Sequence, residues 1–160
     1  MIIHATELDP DGVQLDFPVA TTSLPVGPGE SILVHRAVLR GRAVPKRGGV
    51  SLAGSLSGDV EVSCARCLKP FGMTVNREFD LFYALSPVKG KEVQIPDDAL
   101  DYEFLHDGDA IDLQQVAAEQ IYLEIPMKPL CTPECRGLCP GCGIDLNESD
   151  CGGHDASTNL

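Results

Sequence analysis

Residues 60–71 read VEVSCARCLKPF, and the fold prediction starts from this stretch. Apolar and polar residues alternate on both sides of the Cys64/Cys67 pair, as they do in half-buried strands. The cysteine pair stands where one strand pattern ends and the next one begins. The sequence therefore predicts a β-hairpin that carries two cysteines at its tip.

Strand patterns continue on both sides of this hairpin. Upstream, glycines predict turns at Gly48–Gly49 and Gly58–Asp59, and downstream residues 71–85 alternate as one long returning strand. Residues 1–30 are rich in proline and glycine, which predicts short or edge strands, and residues 86–100 are expected to form an exposed loop. We therefore expect an α+β, mainly β fold, in which an antiparallel meander curls into a small barrel or sandwich.

One helix is predicted after this β region. Residues 101–105 are expected to add a strand, and Asp112 then stands as an N-cap. The helix should cover Leu113 to about Ile125, where a proline follows and stops it. Its apolar face is imperfect, because Gln120 and Glu124 fall among the apolar positions. We expect the helix to pack on the sheet.

Seven cysteines and one histidine have the spacing of metal ligands, and their number suffices for two tetrahedral zinc ions. The predicted ligands are Cys64, Cys67, Cys131, Cys135, Cys139, Cys142, Cys151 and His154. An odd number of cysteines and a long chain argue against a disulfide framework. Residues 126–160 have few large apolar side chains, so zinc would supply their folding energy. We expect a β-rich domain over residues 1–125 and a zinc-binding segment over 126–160, docked on the 64–67 hairpin.

The eight ligands can be divided in more than one way. The local division places Cys64, Cys67, Cys131 and Cys135 on one zinc and Cys139, Cys142, Cys151 and His154 on the other. A ribbon-like division would join Cys64, Cys67, Cys139 and Cys142, and a single occupied site is a third possibility. Charge favours the local division, because a zinc with four thiolates gains most from nearby cations. The cations that flank this proposed all-cysteine site are Arg66, Lys69, Lys128 and Arg136.

Charge is unevenly distributed along the chain. The formal net charge is −12, yet Ser31 to Glu78 holds eight basic and three acidic residues, a net charge of +5, against −17 for the remainder. This distribution would give the protein one basic face that can contact phosphate groups. Alternatively, the basic and acidic segments could pair with each other within the fold. The basic residues that would meet phosphate are Arg36, Arg40, Arg42, Lys46 and Arg47.

Several function classes are disfavoured. Ligand sets made almost entirely of thiolates favour structural over catalytic zinc, and the sequence has neither a phosphate-binding loop nor a nucleophile elbow. We therefore expect no enzyme and no small-molecule substrate. Apolar runs are too short to cross a bilayer and the N-terminus lacks a leader pattern, so we expect a cytoplasmic location and no membrane contact.

Two motifs point to a known family. CARCLKPF at residues 64–71 and GLCPGCG at residues 137–143, followed by Leu146, Asn147 and Cys151, resemble the YceD-like proteins, a bacterial and plastid family associated with accumulation of large-subunit ribosomal RNA. Relatives often carry a cysteine shortly after the position of Cys151, where this chain has two glycines and then a histidine.

The resemblance implies a non-catalytic, zinc-binding factor that supports 23S ribosomal RNA accumulation and assembly of the large ribosomal subunit. Its partner would be pre-ribosomal RNA, bound through the basic residues, or a basic large-subunit ribosomal protein, bound through the acidic surface. The alternative function is a zinc-ribbon nucleic-acid or transcription adaptor outside the ribosome.

Overall fold

The computed structural model describes residues 1–27, 30–85, 102–105 and 110–152. The predicted loop over residues 86–100 and the predicted ligand His154 lie outside these ranges. The described elements are β1 Ile2–His4, a 3-10 turn Ala5–Glu7, β2 Val13–Val19, β3 Thr22–Gly27, β4 Glu30–Lys46, β5 Gly49–Ser63, β6 Pro70–Leu85, β7 Tyr102–Leu105, β8 Ala110–Asp112 and α1 Leu113–Glu124. Within these ranges the protein is mainly β with one α-helix, as the sequence predicts.

Strands β4, β5 and β6 form an antiparallel meander at the centre of a six-stranded sheet. The short strands β2 and β3 both pair with β4, so they lie one after the other along its outer edge. Pro18 and Pro25 are tolerated there because edge positions need no further N–H donor. These short edge strands match the expectation for the first 30 residues.

The sheet is not purely antiparallel, and the predicted small barrel is not confirmed. β7 pairs parallel to β6 at the end of the sheet opposite β2, and no pairing between described strands closes the sheet. The core is covered by other elements: α1 packs on the sheet, and β1 pairs with β8 directly before the helix. A helix thus shields the apolar face that a barrel would have closed on itself.

The core lies between α1 and one face of the long strands. In β5 the buried residues alternate as Leu52, Leu56, Val60 and Val62, and the intervening side chains are more exposed. Asp112 caps the helix, since its Oδ1 accepts a hydrogen bond from the backbone N–H of Gln114 at 2.9 Å. No described helix is long and apolar enough to cross a bilayer.

Arg77 of β6 explains the polar positions on the apolar face of the helix. Its Nε donates to Oε1 of Gln120 at 3.0 Å, and its Nη1 lies 3.8 Å from Oε2 of Glu124. Gln120 is only 3% exposed, so its amide needs such a partner. The two residues that weaken the sequence pattern are therefore the residues that a core-facing arginine meets.

The predicted turn at Gly58–Asp59 is wrong, because β5 runs without a break from Gly49 to Ser63. β4 carries a bulge between Val34 and Arg36, and Gly58 lies opposite Ala37 just beyond it. A Cβ atom at position 58 would stand 2.5 Å from the Cβ of Ala37. The glycine permits a close approach of two strands and not a reversal of the chain.

We predict that Gly58→Ala destabilises the fold by about 1–3 kcal/mol, because the added methyl group overlaps β4 and forces the strands apart. Gly72→Ala is the matched control, since no atom lies within 4 Å of the Cβ that it would add. Its free energy of unfolding should change by less than about 0.5 kcal/mol. Urea denaturation measures both, and equal effects would contradict this account.

Candidate metal centre

Four cysteines from two distant parts of the chain meet beside the β5–β6 hairpin. Cys64 and Cys67 come from the hairpin tip, and Cys131 and Cys135 come from the segment after α1. The Sγ atoms of Cys64 and Cys135 are 3.7 Å apart, as are those of Cys67 and Cys131. All four sulfurs lie within 4.8 Å of one another. We call them the first cluster.

The first cluster has the size that a tetrahedral zinc ion requires. With Zn–S bonds of about 2.3 Å, the edges of the sulfur tetrahedron measure about 3.8 Å. The 3.7 Å separations match this length and are far too long for disulfide bonds. No disulfide bond joins any of the seven cysteines, all of which lie in the described ranges. Donor type, number and spacing thus fit a metal ion held by four thiolates.

Two C-x2-C turns of the chain share one backbone geometry. In the first knuckle (residues 64–69) the N–H of Cys64 donates to the carbonyl of Lys69, and the N–H of Leu68 donates to the carbonyl of Cys64. In the second knuckle (residues 139–144) Cys139, Ile144 and Gly143 make the same two bonds, at 2.8 Å each. This repetition indicates that each turn holds its own two cysteines in the same arrangement, which suits a pair of ligands on one metal ion.

The residue after each pair has a positive φ, 62° at Leu68 and 75° at Gly143. Glycine adopts this left-handed conformation without cost, whereas a leucine pays about 1–2 kcal/mol. Leu68 is 61% exposed, so burial does not offset the strain. The hydrogen bonds and the sulfur contacts of the first knuckle therefore hold a conformation that its sequence disfavours.

The second cluster contains Cys139, Cys142 and Cys151, whose sulfurs also lie within 4.8 Å of one another. Cys142 is exposed, and its Sγ lies 3.5 Å from that of Cys151. Three donors leave one tetrahedral position to be filled. His154 lies beyond the described residues, so its ligation stays a prediction.

The sulfurs group as the local division expects. Cys139 and Cys142 join Cys151, and the ribbon-like grouping of these two with Cys64 and Cys67 is not what the structure shows. The ligand assignment itself, in which zinc occupies these groups, stays a prediction.

The flanking cations have a more specific role than the charge argument expected. Nζ of Lys69 lies 2.7 Å from Oδ2 of Asp145 and also pairs with Glu148, while Nη2 of Arg136 lies 2.7 Å from Oδ1 of Asp150. Lys69 and Arg136 thus form ion pairs with carboxylates of the tail. The ion pairs of Lys69 attach the tail to the hairpin, and the ion pair of Arg136 joins two parts of the tail.

Backbone contacts complete the attachment of the tail. Nη1 of Arg66 donates to the carbonyl of Cys135 at 2.8 Å, and the N–H of Leu138 donates to the carbonyl of Arg66. The N–H of Ala65 donates to the carbonyl of Pro129. These hydrogen bonds join the segment after the helix to the 64–67 hairpin.

The environments of the thiols differ within the first cluster. Burial raises the pKa of Cys64, but N–H donors from Cys67, Cys131 and Arg66 outweigh it and leave that pKa at about 6. Burial and neighbouring thiols raise the pKa of Cys131 to about 12. A cation at the centre of the cluster would instead lower the pKa of Cys131, because it stabilises every thiolate that surrounds it.

The basic residues predicted to contact RNA share one side of the sheet. Arg36, Arg40, Arg42 and Lys46 stand at even positions of β4, all exposed and pointing away from the core, and Arg47 lies in the exposed turn that follows. Three of them have contacts: Arg36 pairs with Asp59 at 3.9 Å, Arg40 with Asp16 at 3.4 Å, and Arg42 donates to the carbonyl of Asp11. The expectation of internal charge pairing thus holds in part.

Asn147 is a further site residue to which the sequence analysis assigned no role. Its Nδ2 donates to Sγ of Cys135 at 3.4 Å. The available signal was its place in the second cysteine motif, but a hydrogen bond to a residue twelve positions earlier cannot be derived from spacing.

Comparison with known proteins gives one family. The model of a family described as "Large ribosomal RNA subunit accumulation protein YceD" matches residues 52–159. An uncharacterized protein of Mycobacterium tuberculosis strain H37Rv is 33% identical over 104 residues, which cover 61% of this chain and 45% of that protein. No solved structure matches the chain significantly.

A plant relative carries a descriptive name. A Zea mays protein named "Large ribosomal RNA subunit accumulation protein YCED homolog 1, chloroplastic" is 29% identical over 125 residues, which cover 64% of this chain and 43% of that protein. The chain spans less than half the length of these curated relatives. The region that the family model matches includes all seven cysteines.

We predict that the reduced protein binds two zinc ions per chain, which native mass spectrometry counts. Replacing Cys64 and Cys67 by serine should remove one zinc, and Cys142→Ser should remove the other, because the clusters share no cysteine. His154→Ala should weaken only the second ion if the histidine is the fourth ligand. Loss of both ions from either cysteine variant, or a zinc-free wild-type chain, would contradict the assignment.

Proposed function

Because the chain belongs to the YceD family of large ribosomal RNA subunit accumulation proteins, we propose that it is a non-catalytic zinc-binding factor for 23S ribosomal RNA accumulation and large ribosomal subunit assembly. The observation that carries the proposal is the first cluster, which joins Cys64 and Cys67 of the first motif to Cys131 and Cys135, shortly before the second motif, within the matched region. Thiols that remain free suit a reducing compartment, and we propose the cytoplasm.

A structural role for the metal is supported by the donors of the first cluster. Four thiolates fill a tetrahedral coordination sphere, whereas a catalytic zinc keeps one position for water or substrate. Cys64, Cys67 and Cys135 are buried, which limits access of a substrate to the centre. The metal would thus hold the tail on the hairpin, in a position to contribute to a binding surface.

Pre-ribosomal RNA is the partner that the outer face of β4 favours. Residues two apart on a strand are separated by about 6.8 Å, so Arg40 and Arg42 present neighbouring charges along one extended line. The ion pairs of Arg36 and Arg40 are exposed, and exposed ion pairs contribute only about 0–1 kcal/mol. Phosphates can therefore replace these carboxylates at low cost.

Lys46 and Arg47 extend this surface to the end of the β4–β5 hairpin. Both are exposed, and within the described ranges no ion pair engages either of them. Aromatic residues make up only 5% of the sequence, so contact with the RNA backbone is favoured over base stacking.

We predict that depletion of the protein in its native cell lowers mature 23S ribosomal RNA relative to 16S, and that large subunits fall relative to small ones. Electrophoresis of total RNA and sucrose-gradient profiles measure the two ratios. Wild-type protein should restore them, whereas a variant with Cys64 and Cys67 replaced by serine should not, because its tail is released. An unchanged ratio after depletion would count against the proposal.

We predict that replacing Arg36, Arg40, Arg42 and Arg47 by alanine weakens binding to 23S precursor fragments. The slope of log K against log salt should fall by about 0.7 for each phosphate that the variant no longer neutralises on single-stranded RNA. The single variant Arg40→Ala should weaken binding by a smaller amount than the fourfold variant. Its matched control is Lys128→Ala, which removes one exposed cation after the helix and should leave the affinity unchanged. Unchanged affinity and slope in the fourfold variant would point to the basic ribosomal protein as the partner.

A further inference from the structure

The loop between the second and third cysteines of the second cluster reaches back to the first cluster. Asn147 lies on this loop, between Cys142 and Cys151. Its Nδ2 donates to Sγ of Cys135 at 3.4 Å, and its Oδ1 accepts the backbone N–H of Arg136 at 2.7 Å. One amide therefore contacts a sulfur of the first cluster and the peptide that follows that sulfur.

The orientation of this amide is fixed from the other side. Oδ1 of Asp145 accepts hydrogen bonds from both the backbone N–H and Nδ2 of Asn147, at 2.8 and 2.7 Å. The side chain of Asp145 is 10% exposed and pairs with Lys69 of the hairpin. That ammonium group lowers the pKa of the Asp145 carboxyl. A line of contacts thus runs from the first knuckle through Asp145 and Asn147 to Cys135.

The two residues just before the second knuckle also hold this loop by their backbone. The N–H of Leu146 donates to the carbonyl of Gly137 at 2.9 Å, and Leu138 and Asp145 form an antiparallel bridge. Cys142 and Cys151 stand at the two ends of the stretch that contains Asn147, with their sulfurs 3.5 Å apart. Drawing these two cysteines onto one metal would therefore close the loop that carries Asn147.

Resting on the proposed zinc binding, we infer that Asn147 is a positioning residue that couples the two metal sites: the loop closed by the second site supplies the N–H donor for a thiolate of the first. Such outer-shell donors stabilise the charge of the ligand and fix its direction, and their loss weakens metal binding by about 10–100-fold. By linkage, each site then strengthens the other by the same factor.

A purely structural role for Asn147 makes a different prediction. Its contact with the N–H of Arg136 needs only an oxygen acceptor, which aspartate also offers. Asn147→Asp therefore keeps that bond but replaces Nδ2, which faces both Cys135 and Asp145, by a carboxylate oxygen that repels a thiolate and a carboxylate. Asp145→Ala is the comparison, because it removes the same contact with Asp145 and keeps the amide that faces Cys135. Metal affinity of the first site separates the two roles.

The test uses the full-length reduced protein and zinc alone, with a chromogenic chelator as competitor. In the Cys142→Ser chain only the first cluster is complete, so its single zinc reports that site. Asn147→Asp in the otherwise wild-type chain should weaken the combined affinity for two zinc ions by about 10–100-fold. Added to the Cys142→Ser chain, it should weaken the single zinc by less, because the loop that carries the amide is not closed there. Asn76→Asp, at an exposed position of β6, is the matched control and should leave the affinity unchanged. Unchanged affinity in the Asn147→Asp chain would overturn the role of the amide.

Coupling is tested without touching Asn147. The wild-type chain should bind its two zinc ions more tightly than the product of the affinities of the Cys142→Ser and Cys64→Ser chains. Equality would overturn the coupling. Circular dichroism of each zinc-loaded variant shows that the sheet and helix have formed. A wild-type chain that binds no zinc would refute the proposed metal binding itself, whereas two zinc ions with additive affinities would refute only this inference.

Discussion

The convergence of four cysteine sulfurs is the constraint on which the C-terminal part of the structure depends. After α1 the chain offers few apolar side chains, and the buried residues among positions 125–152 are Cys135, Gly137 and Cys139. Phe71, Leu130 and Leu138 add a small apolar layer around the first cluster. So small a core cannot offset the conformational entropy of the ordered residues around it, which metal–thiolate bonds can do.

The sheet gives this cluster a rigid base. Cys64 follows directly on β5 and is fully buried, so its sulfur position is inherited from a strand that pairs on both edges. The tail then meets the hairpin tip through backbone bonds and through Lys69. The cysteine-bearing hairpin at the end of the long meander thus gives the tail a rigid surface on which to pack.

Charge has two functions in this molecule. Around the cysteines, cations and carboxylates pair to fasten the tail, and these pairs join segments up to 79 residues apart. On the outer face of β4, the arginines pair with carboxylates that solvent also reaches. The first group stabilises the docking of the tail, whereas the second consists of exposed ion pairs that contribute little to stability.

Local sequence patterns were sufficient to predict the helix, the long strands and the cysteine turns. They were insufficient to predict the contacts between segments that are far apart in the sequence. Alternation predicted the long strands, Asp112 and the following proline marked the helix, and the C-x2-C spacings marked both knuckles, because each depends on residues close in sequence. Charge along the sequence favoured the grouping of Cys131 and Cys135 with Cys64, but left the ribbon-like division open. Only the tertiary structure showed that Gly58 permits a close strand approach, that β7 pairs parallel, and that Asn147 faces a sulfur. These depend on contacts between segments far apart along the chain, whose relative positions are determined by packing of the whole fold.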